Sequence, residues 1–199
     1  MFDIHSLIQE IDDFLQNTHN KVDIWFDKTE SVRRFVPENK GWSIEQILEH
    51  IVLTNHFLLI IIEKGAGKAL RNIEQKDLVT ELVDYHFHKE GLEEIGIHKS
   101  FAWIRPQHME PTGEKSLAEI RHELQAQCQK CREYLQKLAN GEGILYKTTM
   151  SVNQLGKIDV YEYIYFLAKH IERHIQQMQK NEAELSRRLP QMKADVADV

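Results

Sequence analysis

The stretch DVYEYIYFLAKHIERHIQQMQKNEAELS, residues 159–186, is where the fold can be read. Asp159 stands at an N-cap position with Glu162 three residues on, the spacing at which two side chains cap each other's backbone amides. Ile164, Leu167, Ile171, Ile175 and Met178 then recur at steps of three and four, and Leu185 follows two turns later. That is the apolar stripe of one amphipathic helix, roughly 40 Å long at about 1.5 Å per residue.

The same signals recur upstream. Segment 116–139 opens on Ser116 with Glu119 at the capping-box position, and sets Leu117, Ile120, Leu124, Cys128, Cys131, Leu135 and Leu138 on one face. Segment 43–63 opens on Ser43 with Gln46 three residues on. Its body is apolar over most of its circumference, which predicts a central helix, and Gly65 and Gly67 are read as its end. Segment 3–28 repeats the stripe with Ile4, Leu7, Ile8, Ile11, Phe14, Leu15, Val22 and Trp25. A short helix is expected over 77–90, an irregular stretch over 91–115, and a connection over 140–157 whose Ile144–Met150 piece is extended. Pro37, Pro106, Pro111 and Pro190 all fall outside the predicted helices. Four long helices without a strand-rich run predict an all-α four-helix bundle with long connections over 1–188, followed by a frayed tail over 189–199.

The 199 residues suit one domain able to bury its own core. With 25 Lys and Arg against 31 Asp and Glu, the net charge is −6, which argues against a nucleic-acid backbone as partner. Arg187, Arg188 and the scattered lysines are read as solvated groups, not a basic patch. Two cysteines make no disulfide framework and suit a reducing cytoplasmic setting. No signal-peptide plan is visible at the N-terminus, and the longest purely apolar run, Phe57–Ile62, is too short for a membrane span. Pairing of exposed helix faces in a homodimer is compatible with the pattern.

Among 11 histidines, His170 and His174 stand four apart, one above the other on a single helix face, where both imidazoles can reach one ion. About 0.6 such pairs are expected by chance, so the spacing alone decides nothing. Glu172 lies two residues from each and faces away, which excludes the zincin arrangement of a base beside the first ligand. The single Glu-x-x-His pair, Glu119 with His122, excludes a ferritin-like di-iron site. His50, amid Ile47, Leu48, Ile51 and Leu53, is either a core histidine bonded to a backbone carbonyl or a third ligand. In the second case three neutral imidazoles leave coordination positions open, as catalytic sites do.

Two windows carry a family resemblance: Gly41-Trp42-Ser43-Ile44-Glu45-Gln46-Ile47-Leu48-Glu49-His50-Ile51, and Asp159 through His170-Ile171-Glu172-Arg173-His174-Ile175-Gln176-Gln177. Together they resemble the DinB/YfiT superfamily, in which a Trp-Ser pair opens the second helix, a metal histidine follows, and the last helix carries a His-x-x-x-His pair. The resemblance implies an up-down-down-up bundle with helices two and four together. It also implies a divalent metal, nickel or zinc, on His50, His170 and His174. It further implies a metal-dependent thiol S-transferase or hydrolase acting on a small molecule, with a low-molecular-weight thiol as co-substrate. The alternative is a bundle that binds metal, ligand or a protein partner without turnover. Tyr163, two turns before His170, is the candidate catalytic acid or hydrogen-bond donor, and equally a core aromatic. Thr54, Gln177 and His56 are further candidates near the site, Trp42 reads as a hydrophobic anchor, and Cys128–Cys131 as core packing.

Overall fold

The computed structural model describes residues 2–102 and 106–197, with side chains as far as Arg188. Its α-helices are α1 (Ile4–Asp23), α2 (Glu30–Arg33), α3 (Ile44–Asn72), α4 (Leu78–Val83), α5 (Lys89–Ile95), α6 (Leu117–Lys137) and α7 (Val160–Ala197). A two-stranded antiparallel ribbon, β1 (Thr148–Met150) with β2 (Gly156–Ile158), precedes α7. The fold is all-α: α1, α3, α6 and α7 are the long members of the bundle. α7 packs on α1 and α3, and α6 packs on the same two, so the second and fourth long helices are neighbours.

The predicted starts are built as read. Ser43 with Gln46, and Ser116 with Glu119, form reciprocal capping boxes. Asp159 Oδ1 accepts from the Glu162 amide at 3.1 Å while Glu162 Oε2 accepts from the Asp159 amide at 2.9 Å. Each exchange satisfies amides that a helix start otherwise leaves orphaned. The stripes are the core: Ile11, Leu15, Ile44, Ile47, Leu48, Ile51, Ile164 and Leu167 are wholly buried.

Several expectations are corrected. α3 does not end at Gly65 and Gly67 but continues to Asn72. A Cβ on Gly65 would stand 3.2 Å from Val160 Cγ2, so this glycine lets α3 approach the start of α7. That packing, with Ala66 and Ala69 buried beside it, outweighs the cost of about 1 kcal/mol for a helical glycine. The 77–90 region splits into α4 and the start of α5. The stretch 91–115 is partly ordered, by α5 and a 3₁₀ turn at Gln107–Met109. Ile144–Met150 is extended only at β1, because Glu142–Leu145 coils into a 3₁₀ turn against α3. The last helix extends past residue 186 to Ala197 and through Pro190, since one proline removes one backbone hydrogen bond without reversing the helical path.

By length and composition alone α3 could span a bilayer, yet more than half of its apolar window is buried inside the bundle. Gly143 gives a direct test of the packing. A Cβ there would lie 2.6 Å from Tyr161 Cε2, and Tyr161 is fixed by accepting from the Gly143 amide and donating to Leu138 O. Gly143→Ala is expected to destabilise the fold by about 1–3 kcal/mol, read as a shifted denaturation midpoint with unchanged slope.

Candidate metal centre

α3 supplies His50 and α7 supplies His170 and His174, all three buried. Each can direct a ring nitrogen to a common point, with these nitrogens within 4.8 Å of one another. The Nε2 atoms of His170 and His174 are 3.0 Å apart, and the His50 ring centroid lies 4.8 Å from that of His174 and 5.3 Å from that of His170. Nitrogens about 2.1 Å from a tetrahedral ion would stand about 3.4 Å apart, so small side-chain movements suffice.

Two of the far nitrogens are held. His50 Nδ1 meets Met109 O at 2.7 Å, where it donates, which puts the ring proton on Nδ1 and the lone pair on Nε2. His174 Nδ1 meets Gln177 Oε1 at 2.9 Å and does the same. This is the outer-shell bonding that fixes the tautomer of a ligating histidine. Burial first, then the neighbouring imidazoles, hold His170 and His174 far below the ordinary histidine range. Both are neutral at pH 7 and present lone pairs, the form a metal requires.

The carbonyl that meets His50 is itself anchored. The buried Glu49 carboxylate accepts from the Thr112 amide at 3.0 Å, the Thr112 hydroxyl at 2.9 Å and the Gly113 amide at 2.8 Å. Consecutive residues of α3 thus fasten the 109–113 loop at two points. On the other side of His50 the Trp42 indole lies 4.7 Å away between ring centroids, its backbone carbonyl held by Asn181 Nδ2 at 2.8 Å. Trp42 is therefore a wall of the site as well as an anchor.

Two cavities meet at the histidines, each with His50 and His170 in its wall. The first, about 360 Å³, is polar: Lys40, Trp42, His98, Arg173, His174 and Gln177 line it. The second, about 460 Å³, is mainly apolar: Phe57, Leu58, Ile61, Phe101, Met109 and Phe166 line it, together with Thr54. Thr54 Oγ1, one turn below His50, is buried and finds no hydrogen-bond partner among the described residues.

A family model of the DinB superfamily matches residues 14–178. The chain belongs to the DinB superfamily. The matched span contains the whole histidine cluster. No curated protein and no solved structure matches the chain.

The other candidates of this DinB-like chain separate by burial. Tyr163 is buried, its hydroxyl pushed up to about 12 by burial and then by Tyr146, and it lines neither cavity. Spacing places it on the His170 side of α7, two turns before that residue. Gln177 is at the site, through His174. His56 is exposed and packs on Phe57. Cys131 is buried in the core and Cys128 half-buried; burial raises both thiols, Cys128 to about 11, so neither is an available nucleophile at pH 7. Glu172 bonds Lys169, away from the histidines as its spacing requires.

Sequence reasoning missed Glu49 and the cations. A lone carboxylate among Leu48, His50 and Ile51 on an apolar helix was the available signal for Glu49. For the cations it was the seven-residue spacing of Arg173, Lys180 and Arg187, which sets them on one stripe of α7.

Proposed function

We propose that this chain is a divalent-metal-dependent enzyme of the DinB superfamily, transferring a small thiol to, or hydrolysing, a small molecule. The observation that carries this reading is the convergence of three buried imidazoles from two helices at the wall shared by a polar cavity and an apolar chamber. The donor set fits zinc or nickel, the ions expected from the family; three imidazoles equally accept copper or iron. When bound, such an ion lowers the pKa of a thiol or water and supplies a nucleophile at neutral pH.

The chain's own residues do the rest. Met109 O and Gln177 fix two ring tautomers, Trp42 closes one side of His50, and the aromatic and aliphatic chamber excludes water from the electrophile. Thr54 Oγ1 offers that electrophile a hydrogen bond. No carboxylate lines either cavity among the described residues. A metal held by the three histidines would supply the nucleophile in its ionised form without a carboxylate base. A site that holds a ligand without turnover is the second reading, and the same feature favours it.

Elemental analysis of the purified chain tests the metal, wild type against His170→Ala/His174→Ala. About one zinc or nickel per chain, lost in the variant, supports the reading; no metal in the wild type after reconstitution overturns it. The metal-loaded protein is then assayed with 2-mercaptoethanol and 1-chloro-2,4-dinitrobenzene, where an S–C bond forms and chloride leaves. Thr54→Val is expected to raise the KM for a carbonyl- or nitro-bearing electrophile by about tenfold, the loss of one buried hydrogen bond. Metal without turnover across thiol and hydrolase substrates selects the second reading.

A further inference from the structure

The charges around the polar cavity are not distributed as the acidic composition suggests. A second cleft of about 340 Å³ adjoins it, sharing Gly41, His98 and Gln177 in its walls. Lys99, Lys180 and Arg187 line this outer cleft, and Lys40 and Arg173 line the inner one. Five cations thus face one continuous groove in a chain of net charge −6. Arg173, Lys180 and Arg187 come from one stripe of α7, seven residues apart, running away from His174. Lys99 arrives from the segment after α5, which is clamped onto α7 by Gln176, bonded to Gly96 O at 3.0 Å and to the His98 amide at 3.1 Å. Arg173 is engaged, donating to Ile97 O and lying over the Phe101 ring. Lys40, Lys99, Lys180 and Arg187 form no ion pair among the described residues. Among the described residues, Glu184 is the carboxylate in the outer wall, and it accepts from the Glu38 amide at 2.9 Å.

The groove carries a positive potential that other groups register. His98, at the junction of the two clefts, is pushed down to about 4 by burial and by the charges of Lys180, Arg173 and Lys99. A concave surface lined by one sign of charge concentrates counter-ions of the opposite sign. The combined space suits a small ligand rather than a polymer.

We propose that this groove is the binding site for a small organic oxyanion, carrying carboxylate or phosphate groups, whose charged end Lys99, Lys180 and Arg187 hold while its reactive end reaches the histidines. This deepens the proposed function by naming the class of its polar-side ligand, and it rests on that reading only for the role of the histidines.

Calorimetry on the purified chain, at low salt and without competing anions, decides it, with succinate and inorganic phosphate as separate probes. One site is expected for succinate, weakened at least about tenfold in Lys180→Gln/Arg187→Gln and weakened again as salt rises from about 50 to about 500 mM. Binding of phosphate in place of succinate, lost in the same variant, supports the site and assigns a phosphoryl ligand. Failure of both probes, or binding indifferent to the double substitution, overturns the proposal. A second arm keeps the metal reading apart. In the cobalt-loaded protein, thiolate-to-cobalt absorbance is expected to report mercaptosuccinate binding about tenfold tighter than 2-mercaptoethanol, with the preference abolished in the variant. If no cobalt is taken up, the metal reading falls while the succinate and phosphate titrations still decide the groove.

Discussion

His50→Ala is expected to lower the affinity for zinc or nickel by about 100- to 1000-fold while the bundle remains folded. Structural zinc bound by four ligands contributes about 10–16 kcal/mol, roughly 3–4 kcal/mol per ligand, and each 1.4 kcal/mol is tenfold. His50 is the only member of the cluster that α3 contributes. Without it the ion would keep two imidazoles from one helix, which any exposed His-x-x-x-His pair provides. The measurement is a competition titration against a chelator of known affinity, with circular dichroism to verify the fold. Since the alanine also opens a void beside Trp42, His50→Gln is the companion variant. It preserves volume and a donor toward Met109 O but not the imidazole lone pair. Unchanged affinity in both would remove His50 from the ligand set.

Glu49→Ala is expected to act on stability and on the metal together. Its carboxylate holds three donors of the 112–113 turn at 2.8–3.0 Å, and charge-assisted bonds of this kind contribute about 1.5–3 kcal/mol each before overlap is allowed for. A net loss of about 3 kcal/mol lowers Tm by about 6–12 °C in a chain this long. The same loop delivers Met109 O to His50 Nδ1. Loosening it releases the tautomer and orientation of that ring, for an expected weakening of metal binding of about 10- to 100-fold. Thermal denaturation and metal titration of one preparation separate the effects. A large Tm shift with wild-type metal affinity would mean that the loop supports the fold without supporting the site.

The helices were legible because their signals are local. Ser43 with Gln46, Ser116 with Glu119 and Asp159 with Glu162 cap within three residues, and the 3.6-residue stripes specify which face turns inward whatever that face meets. The errors arose where packing overrides local preference. Gly65 is a helix breaker by propensity, yet it stays helical because Val160 fills the space its missing side chain leaves. Spacing left Tyr163 open between a pocket residue and a core aromatic; it is buried, and it is not among the residues that line the two cavities.

The candidate site divides along the same line. His170 and His174 are juxtaposed by one helical turn, so sequence alone sets their distance. The sequence names His50 only through its resemblance to a family pattern, since its separation of 120 residues from His170 carries no geometric information of its own. Trp42 as a wall, Glu49 as the anchor of a distant loop and the cationic groove depend on separate segments meeting, and no local rule encodes that meeting. By itself the sequence determined the helical class, the capped starts, the buried stripes and the paired imidazoles of α7, because interactions over three or four residues suffice for each. Only the tertiary structure decided that the three imidazoles converge, where an acidic chain gathers its positive charge, and that the imidazoles stand between a polar and an apolar space, because these follow from contacts between residues far apart in the chain.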